Sequence, residues 1–588
     1  MRILLAFIIG FLIFFLISNA FDRIFKRPIP SFIGLFTILA SFVIGIFGHF
    51  WISQPIATLL SVFLGGSGVA ITLYHLLTQR YIISERVELN FARKHETKIE
   101  RALEILPGAL TWTALTSPVW LSFTFPFAVA YFIIAAQAYW LITALKNAVL
   151  ILLGYRKLTW AKKQDWLKKL KEDFPTEWDQ YHHIILLPTY KESIEVLKPA
   201  FEAVANSSYP KKQIYLCVGF EAWADREQVN GIIKQLEHYK KVIGDVFVTI
   251  HELQPGEIKG PATNRNCMYK NAIKELEAKG IPLHKVLVTT LDADFVIDKD
   301  LLSGALHKYL STPTEERDKR SFTGSFFYYN NYWSSPTPMR LISTGTAFWQ
   351  LAEMYGSDKY MNFSSLTINL QSLKEIGGWI PNKVNDDSGF YWKAYFHFKG
   401  DYKVIPHYIP INGDTNLDVT LVKTFINQYQ QLKRWAYGVE HVPYAFKEYF
   451  RRQDIDFWDK TDKLLFVLWG NLRWGSLALI VTFAGLVIPL VNPTYAQSVI
   501  AINLPIVSSW ILTVAFLGLF ATIFVHEKTA PPRPKNWPFV KWFWSYLQYL
   551  LVPVVLVTIT TIPAIDAQTS LMFGRYLEYR VTNKARQS

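Results

Sequence analysis

Cysteine is nearly missing from this chain: of 588 residues only Cys217 and Cys267 carry a thiol. A disulfide scaffold is thereby excluded, and no cysteine spacing suits zinc. Cys217 lies in the apolar run Ile214-Tyr215-Leu216-Cys217-Val218 and reads as a buried thiol. Both cysteines fit a reduced, cytosolic compartment. Internal repeats and low-complexity segments are also lacking, which excludes solenoids and disordered tracts. Acidic charge is in deficit, with 47 Asp and Glu against 61 Lys and Arg and a formal net charge of +14. A basic balance admits nucleic-acid binding. Here, however, basic residues sit in short segments beside apolar runs, as in Asp22-Arg23-Ile24-Phe25-Lys26-Arg27 and His526-Glu527-Lys528. The positive-inside bias of membrane proteins accounts better for that placement, so no nucleic-acid partner is expected.

Apolar residues are what the chain has in excess, at 51% of the total with 16% aromatic. They cluster at both ends, which predicts a soluble middle between two membrane regions: 1–154, 155–457 and 458–588. The runs Ile3–Ile17, Ile29–Phe50 and Ile56–Leu77 are read as spans, the first as a retained anchor rather than a signal peptide. Gly108–Phe125 and Phe127–Leu153 form a helical hairpin broken at Pro126, with Pro118 interrupting the first arm. Arg23, Lys26 and Arg27 mark one inner loop, and Arg80 to Arg101 another. Their placement puts the N-terminus outside and the middle domain in the cytosol. Beyond it, Trp458–Asn471 is expected as an interfacial helix, and Gly475–Val491 and Leu504–Val525 as spans, with the basic loop Lys528–Lys535 inside. Trp537–Ile565 reads either as one span or as an interfacial helix followed by a re-entrant segment.

In the middle, His182–Leu187 reads as a buried strand ending at Pro188-Thr189-Tyr190-Lys191-Glu192. Ile194, Leu197, Phe201 and Val204 follow at helical spacing, with Pro199 as a potential kink. Ile214–Val218 and Val286–Leu291 are further strands. Strands alternating with helices predict a parallel α/β sheet, which binds nucleotides at the carboxyl ends of its strands. Asp292-Ala293-Asp294 sits at such an end. Two carboxylates there suit a divalent cation and a diphosphate, or else an exposed loop cap. Asn385-Asp386-Asp387 offers a general base, or an acid pair favoured by a helix N-terminus. Gln431-Leu432-Lys433-Arg434-Trp435 joins an amide, two cations and an indole where apolar segments begin. It suits sugar and phosphate handling, and equally an interfacial anchor.

Taken in order, these four motifs resemble those of the membrane-embedded family 2 glycosyltransferases, the group with cellulose, chitin and hyaluronan synthases. The resemblance covers the middle domain and the adjoining helices, and the Gln-x-x-Arg-Trp signature is its most specific element. Tyr579-Arg580-Val581-Thr582-Asn583-Lys584 is similar to the gating loop of cellulose synthases, with Tyr in place of Phe. The resemblance implies a Rossmann-like GT-A domain inserted between N- and C-terminal transmembrane regions. It implies an inverting hexosyltransferase that uses a nucleotide-sugar donor, a UDP-sugar by analogy, and Mg²⁺ or Mn²⁺. The acceptor would be a saccharide or lipid-linked sugar, with processive polysaccharide synthesis and export as the extension. The setting would be a multi-pass protein of the plasma membrane.

By the same resemblance, Asp387 is the catalytic base, with Asp386 beside it. Thr189, Tyr190, Glu192, Glu221, Lys259 and Asp292 face the nucleotide, and Asp294 faces the metal. Gln431, Arg434 and Trp435 face acceptor and diphosphate, and Tyr579, Val581, Thr582 and Lys584 form the gate. Three departures stand out. Glu221 stands where the family has an acidic pair, Pro261 where it has a Lys before an Asn-x-Asn turn, with Lys259 as substitute, and Asp386 where it has a Glu. Two other readings stay open: a lipid-linked sugar transferase of the dolichyl-phosphate-sugar synthase type, and a membrane transporter or scaffold with an inactive domain.

Overall fold

The computed structural model describes residues 96–577 apart from Asn362, together with four isolated positions nearer the N-terminus. The runs Ile3–Ile17, Ile29–Phe50 and Ile56–Leu77 and the gating-loop residues Tyr579, Val581, Thr582 and Lys584 lie outside the described residues. The chain divides into two compact units, Met1–Ile99 and Glu100–Ser588, and the second holds the sheet.

Helix α1 (Glu96–Ser122) ends just before α2 (Pro126–Lys163), which starts with Pro126 in its first turn. Proline is tolerated there because that turn's N–H has no helical acceptor. The hairpin break is therefore where the sequence put it. Next come α3 (Trp166–Asp173), β1 (His182–Pro188), α4 (Ile194–Ala205), β2 (Ile214–Glu221), α5 (Arg226–Lys240) and β3 (Asp245–His251). Pro199 lies inside an unbroken α4. The chain continues through α6 (Pro261–Ala278), β4 (Val286–Thr290), β5 (Val296–Ile297), α7 (Leu301–Leu310), β6 (Arg320–Phe327) and α8 (Thr337–Gly356). It then forms β7 (Thr367–Asn369), α9 (Leu370–Ile376), α10 (Asp386–His397), β8 (Lys403–Asn412), α11 (Leu421–Ala436) and α12 (His441–Arg451).

The eight strands form one sheet in the order β3-β2-β1-β4-β7-β6-β8-β5. Four of them, β3, β2, β1 and β4, run parallel, as expected. The rest corrects the all-parallel expectation: β7 runs antiparallel to both β4 and β6, and β5 antiparallel to β8. The four parallel strands are enclosed by helices on both faces. The interior residues of β1 and all residues of β2 and β4 are buried, which favours continuous apolar runs over alternation. The strands β3, β6 and β8 escape a reading by apolar runs because their residues mix polar and apolar types. β8 even carries Pro406 and Pro410, unusual in a strand paired on both sides.

Among the described residues, four helices are long and apolar enough to cross a membrane: Pro126–Lys163, Phe457–Val491, Val499–Thr529 and Phe539–Met572. The separate interfacial helix expected at Trp458–Asn471 is instead the first part of a continuous 35-residue helix. The break expected at 472–474 is absent: α-helix runs through it to Leu479, and a π-helical segment follows at Ile480–Ala484. Helix α1 is not among the four, and it contains both Pro107 and Pro118.

Candidate functional site

Parallel strands deliver their carboxyl ends to one edge of the sheet. The loops after β1, β2, β3 and β4 therefore gather there, and with them most of the polar residues that the sequence motifs contain. After β1, Glu192 folds back on its own loop. One carboxylate oxygen accepts from the Thr189 hydroxyl at 2.9 Å, the Tyr190 N–H at 2.8 Å and the Lys191 N–H at 3.1 Å. Glu192 thus shapes the loop that carries Tyr190. The Tyr190 ring meets Trp223 edge-on, with centroids 6.2 Å apart, and the ammonium of Lys259 lies 5.4 Å from the Trp223 ring.

At the end of β2, Glu221 is only 6% exposed and its carboxylate faces His251 rather than open space. His251 spans two acids, with Nδ1 2.7 Å from Glu221 and Nε2 3.0 Å from Glu257. Burial alone would lower its pKa, but the two carboxylates outweigh burial and raise it. Held between the two acids, the His251 ring pins the turn at Gln254–Glu257 against the sheet.

Asn264, Arg265 and Asn266, expected in a turn, lie in the first turns of α6, with Pro261 opening the helix. Pro261 therefore has a helical role of its own in the position aligned with a family lysine. Asn264 donates to the Gly219 carbonyl at 3.1 Å. A side chain on Gly219 would run into Asn264, so glycine is required by close approach. Asn266 brackets Trp379, donating to its carbonyl at 3.0 Å and accepting its N–H at 2.9 Å. That contact fixes the Gly377-Gly378 turn, in which both glycines have positive φ.

Arg265 was not among the residues assigned a function from the sequence, yet it is central. It is 1% exposed and pairs with three carboxylates. One nitrogen donates to Asp292 at 3.0 Å, the other donates to Asp386 and lies 3.8 Å from Asp387. One guanidinium thus joins the β4 end to the N-terminus of α10. The signal in the sequence was faint: a lone Arg between two Asn. Asp386 and Asp387 occupy the first turn of α10, where the helix dipole favours negative charge. The Asp387 side chain keeps 24% exposure. Burial raises its pKa to about 8, with Asp386 adding to the shift and Arg265 opposing it; Asp292 and Arg434 act in the same opposed senses, more weakly. The phenol of Tyr328 adjoins the same acids: burial raises its pKa first, then the charges of Asp292, Asp294 and Asp387.

The loop before α10 is anchored from the far side. Glu440 accepts the N–H groups of Val384 at 2.7 Å and Asn385 at 2.9 Å. Burial pushes its pKa up to about 7, against Lys383 and those two bonds. The Asn385 side chain donates to the Trp435 carbonyl at 3.4 Å, tying Asp386 and Asp387 to α11. Gln431, Arg434 and Trp435 all lie on α11. Trp435 packs where α11 meets Tyr549 and Val555 of the Phe539–Met572 helix. Nearby, Asp566 of that helix accepts from Tyr429 and pairs with Lys433, both at 2.8 Å.

Asp294 is buried, and its Oδ2 accepts the Asp414 N–H at 2.7 Å. The Asp292 side chain is 40% exposed. Among the described residues no group of three or more His, Cys, Asp or Glu forms a metal cage. Magnesium and similar hard cations need only one or two carboxylates when substrate phosphates supply further oxygens. The strand-end acids fit that donor chemistry.

No family model matches the sequence, and no curated protein matches it. Solved structures do. One is a mannosyltransferase, PcManGT from Pyrobaculum calidifontis, in complex with GDP-Man and Mn²⁺. It is 13% identical, with a TM-score of 0.38, 75% of this chain and 100% of that chain covered. Another is residues 1–349 of TarS from S. aureus with UDP-GlcNAc, at 13% identity and a TM-score of 0.33, covering 67% of this chain and 93% of that one. At these values the assignment rests on the chain's own residues.

Proposed function

We propose that this protein is a membrane-bound, inverting glycosyltransferase that moves a sugar from a nucleotide-sugar donor to a saccharide acceptor. The observation that carries the reading is the meeting of Asp292, Asp386 and Asp387 on Arg265, with Arg434 close enough to act on Asp387. Acids from a strand end and a helix start, more than ninety residues apart, converge beside a cationic helix. That is the arrangement a phosphate-bearing donor and a hydroxyl acceptor require together.

In this reading residues 155–457 are a GT-A-like cytosolic domain between membrane regions 1–154 and 458–588. The donor's base and ribose lie against Tyr190 and the loop shaped by Thr189 and Glu192. Lys259 contributes on that side, Asp292 meets the nucleotide, and Glu221 acts from beneath through His251. Asp294 and Asp292 would hold Mg²⁺ or Mn²⁺, which supplies charge neutralisation of the diphosphate when bound. Asp387 takes the proton from the acceptor hydroxyl, whose oxygen attacks the anomeric carbon as the bond to the diphosphate breaks. The nucleoside diphosphate leaves, Arg434 stabilises its charge, and Gln431 and Trp435 orient the acceptor. The comparison structures bound to GDP-Man and UDP-GlcNAc suggest which donors to try first. Processive synthesis with export is the natural extension, because α11 lies directly against the Phe539–Met572 helix.

The test is label transfer. Purified full-length protein with Mg²⁺ or Mn²⁺ and a panel of radiolabelled nucleotide sugars should yield labelled saccharide. Asp387→Asn should reduce transfer by roughly 10²–10⁴-fold, the usual worth of a general base. Transfer by Asp387→Asn at the wild-type rate would remove Asp387 from the mechanism.

A further inference from the structure

Where α2 leaves its apolar stretch, the surface turns basic and aromatic at once. Seven cations, Arg156, Lys157, Lys162, Lys163, Lys168, Lys169 and Lys171, fall between residues 156 and 173, against three acids, Asp165, Glu172 and Asp173. Glu172 lies 3.8 Å from Lys168, and Asp173 pairs with His307. Asp165 is occupied as the cap of α3, accepting the Lys168 N–H at 3.0 Å. All the cations except Lys169 are exposed, and Lys169 rests 5.0 Å from the Trp160 ring.

Helical spacing aligns part of this cluster with an apolar stripe. Tyr131, Ile142, Leu145, Val149 and Leu152 lie along one exposed face of α2. The same face continues to Arg156, Trp160 and Lys163. From Tyr131 to Leu152 the apolar stripe runs roughly 30 Å at the helical rise, the thickness of a bilayer's hydrocarbon core. The stripe then passes into an indole that is 48% exposed and a basic group, the order found at a membrane–water interface. Beside it α3 holds an open concavity of 370 Å³ lined by Asp165, Leu167, Lys168, Lys171 and Glu172.

We infer that the end of α2 and α3 together form a docking surface for anionic phospholipid headgroups. The occupant follows from continuity with the apolar stripe: only a lipid places its negative charge at that depth. Clusters of this size beside a membrane helix attract anionic leaflets at about 1 kcal/mol per cation, or about fivefold in affinity. The inference rests on α2 crossing the bilayer but not on sugar transfer.

Full-length protein reconstituted in nanodiscs of mixed phosphatidylcholine and spin-labelled phosphatidylglycerol provides the test. Wild type should immobilise the phosphatidylglycerol in preference to a phosphatidylcholine label. The quadruple variant K162E/K163E/K168E/K171E should lower that preference at least about tenfold. The corresponding Lys→Arg variant should keep it, and a variant reversing the distant Lys234 and Lys240 should leave it unchanged. Equal preference in the Lys→Glu variant overturns the inference, as does retention of RNA with no lipid preference. Failure of wild type to enter nanodiscs overturns the membrane reading with it.

Discussion

Arg265 and Asp387 set opposite terms at one spot. A buried guanidinium shared by three carboxylates is costly to remove, because the acids are left with uncompensated charge. Arg265→Ala should therefore destabilise the protein by about 3–5 kcal/mol, read as a lower thermal midpoint in detergent, and Arg265→Lys should recover only part of the loss. Asp387 behaves differently. Its folded pKa, about 8, lies above the usual carboxylate value. Between those pH values the folded state holds a proton that the unfolded state has released, so this group's contribution to stability falls as pH rises through the window. Asp387→Asn removes that slope. Its melting temperature should exceed wild type by more at about pH 8.5 than at about pH 5.5. In the proposed mechanism activity has the opposite sense, since a general base works only when ionised. The wild-type transfer rate should climb through the neutral range toward pH 8 and fall on acidification. A rate independent of pH between about 6 and 8 would speak against Asp387 as the base. The acids were visible in the sequence because acidic pairs beside a buried strand or a Gly-Gly turn stand out locally. Arg265 was not, since its partners lie 27 and 121 residues away.

At the scale of elements, the reactive loop depends on a neighbour outside the four sequence motifs. Glu440 follows α11 and holds the backbone just before α10. Replacing it by Ala would leave the buried Val384 N–H and the part-buried Asn385 N–H without their acceptor, at about 1–3 kcal/mol for the buried one. Glu440→Ala should therefore lower both stability and kcat, whereas a variant on the exposed face of α5, such as Lys234→Ala, should change neither. Thermal unfolding and initial rates measured on the same preparations distinguish the outcomes. Several elements were legible from periodicity: β1, β2, β4 and α4 all fall where their apolar runs lie. The Asn264-Arg265-Asn266 segment, which the family resemblance aligned with an Asn-x-Asn turn, lies in helix. Pro261 instead opens a helix whose polar side chains bond to Gly219, Asp292, Asp386 and Trp379.

For the whole molecule, the four apolar helices predict that the protein stays with membranes in alkaline carbonate and is released only by detergent. Recovery in the carbonate supernatant would contradict the spans. The Lys433–Asp566 and Tyr429–Asp566 contacts join α11 to the last of these helices, so the candidate site and that apolar helix share a wall. Composition alone determined the division into apolar ends and a mixed, charged middle, because hydrophobic runs are local and their length is read directly. Apolar runs also located β1, β2 and β4 of the parallel half of the sheet, since buried strands carry their pattern in neighbouring residues. Only the tertiary structure decided that β5 and β7 run antiparallel within that sheet, that Arg265 gathers the acids, and that Glu440 steadies their loop. Each of those depends on contacts between residues far apart in the chain, whose geometry no local period encodes.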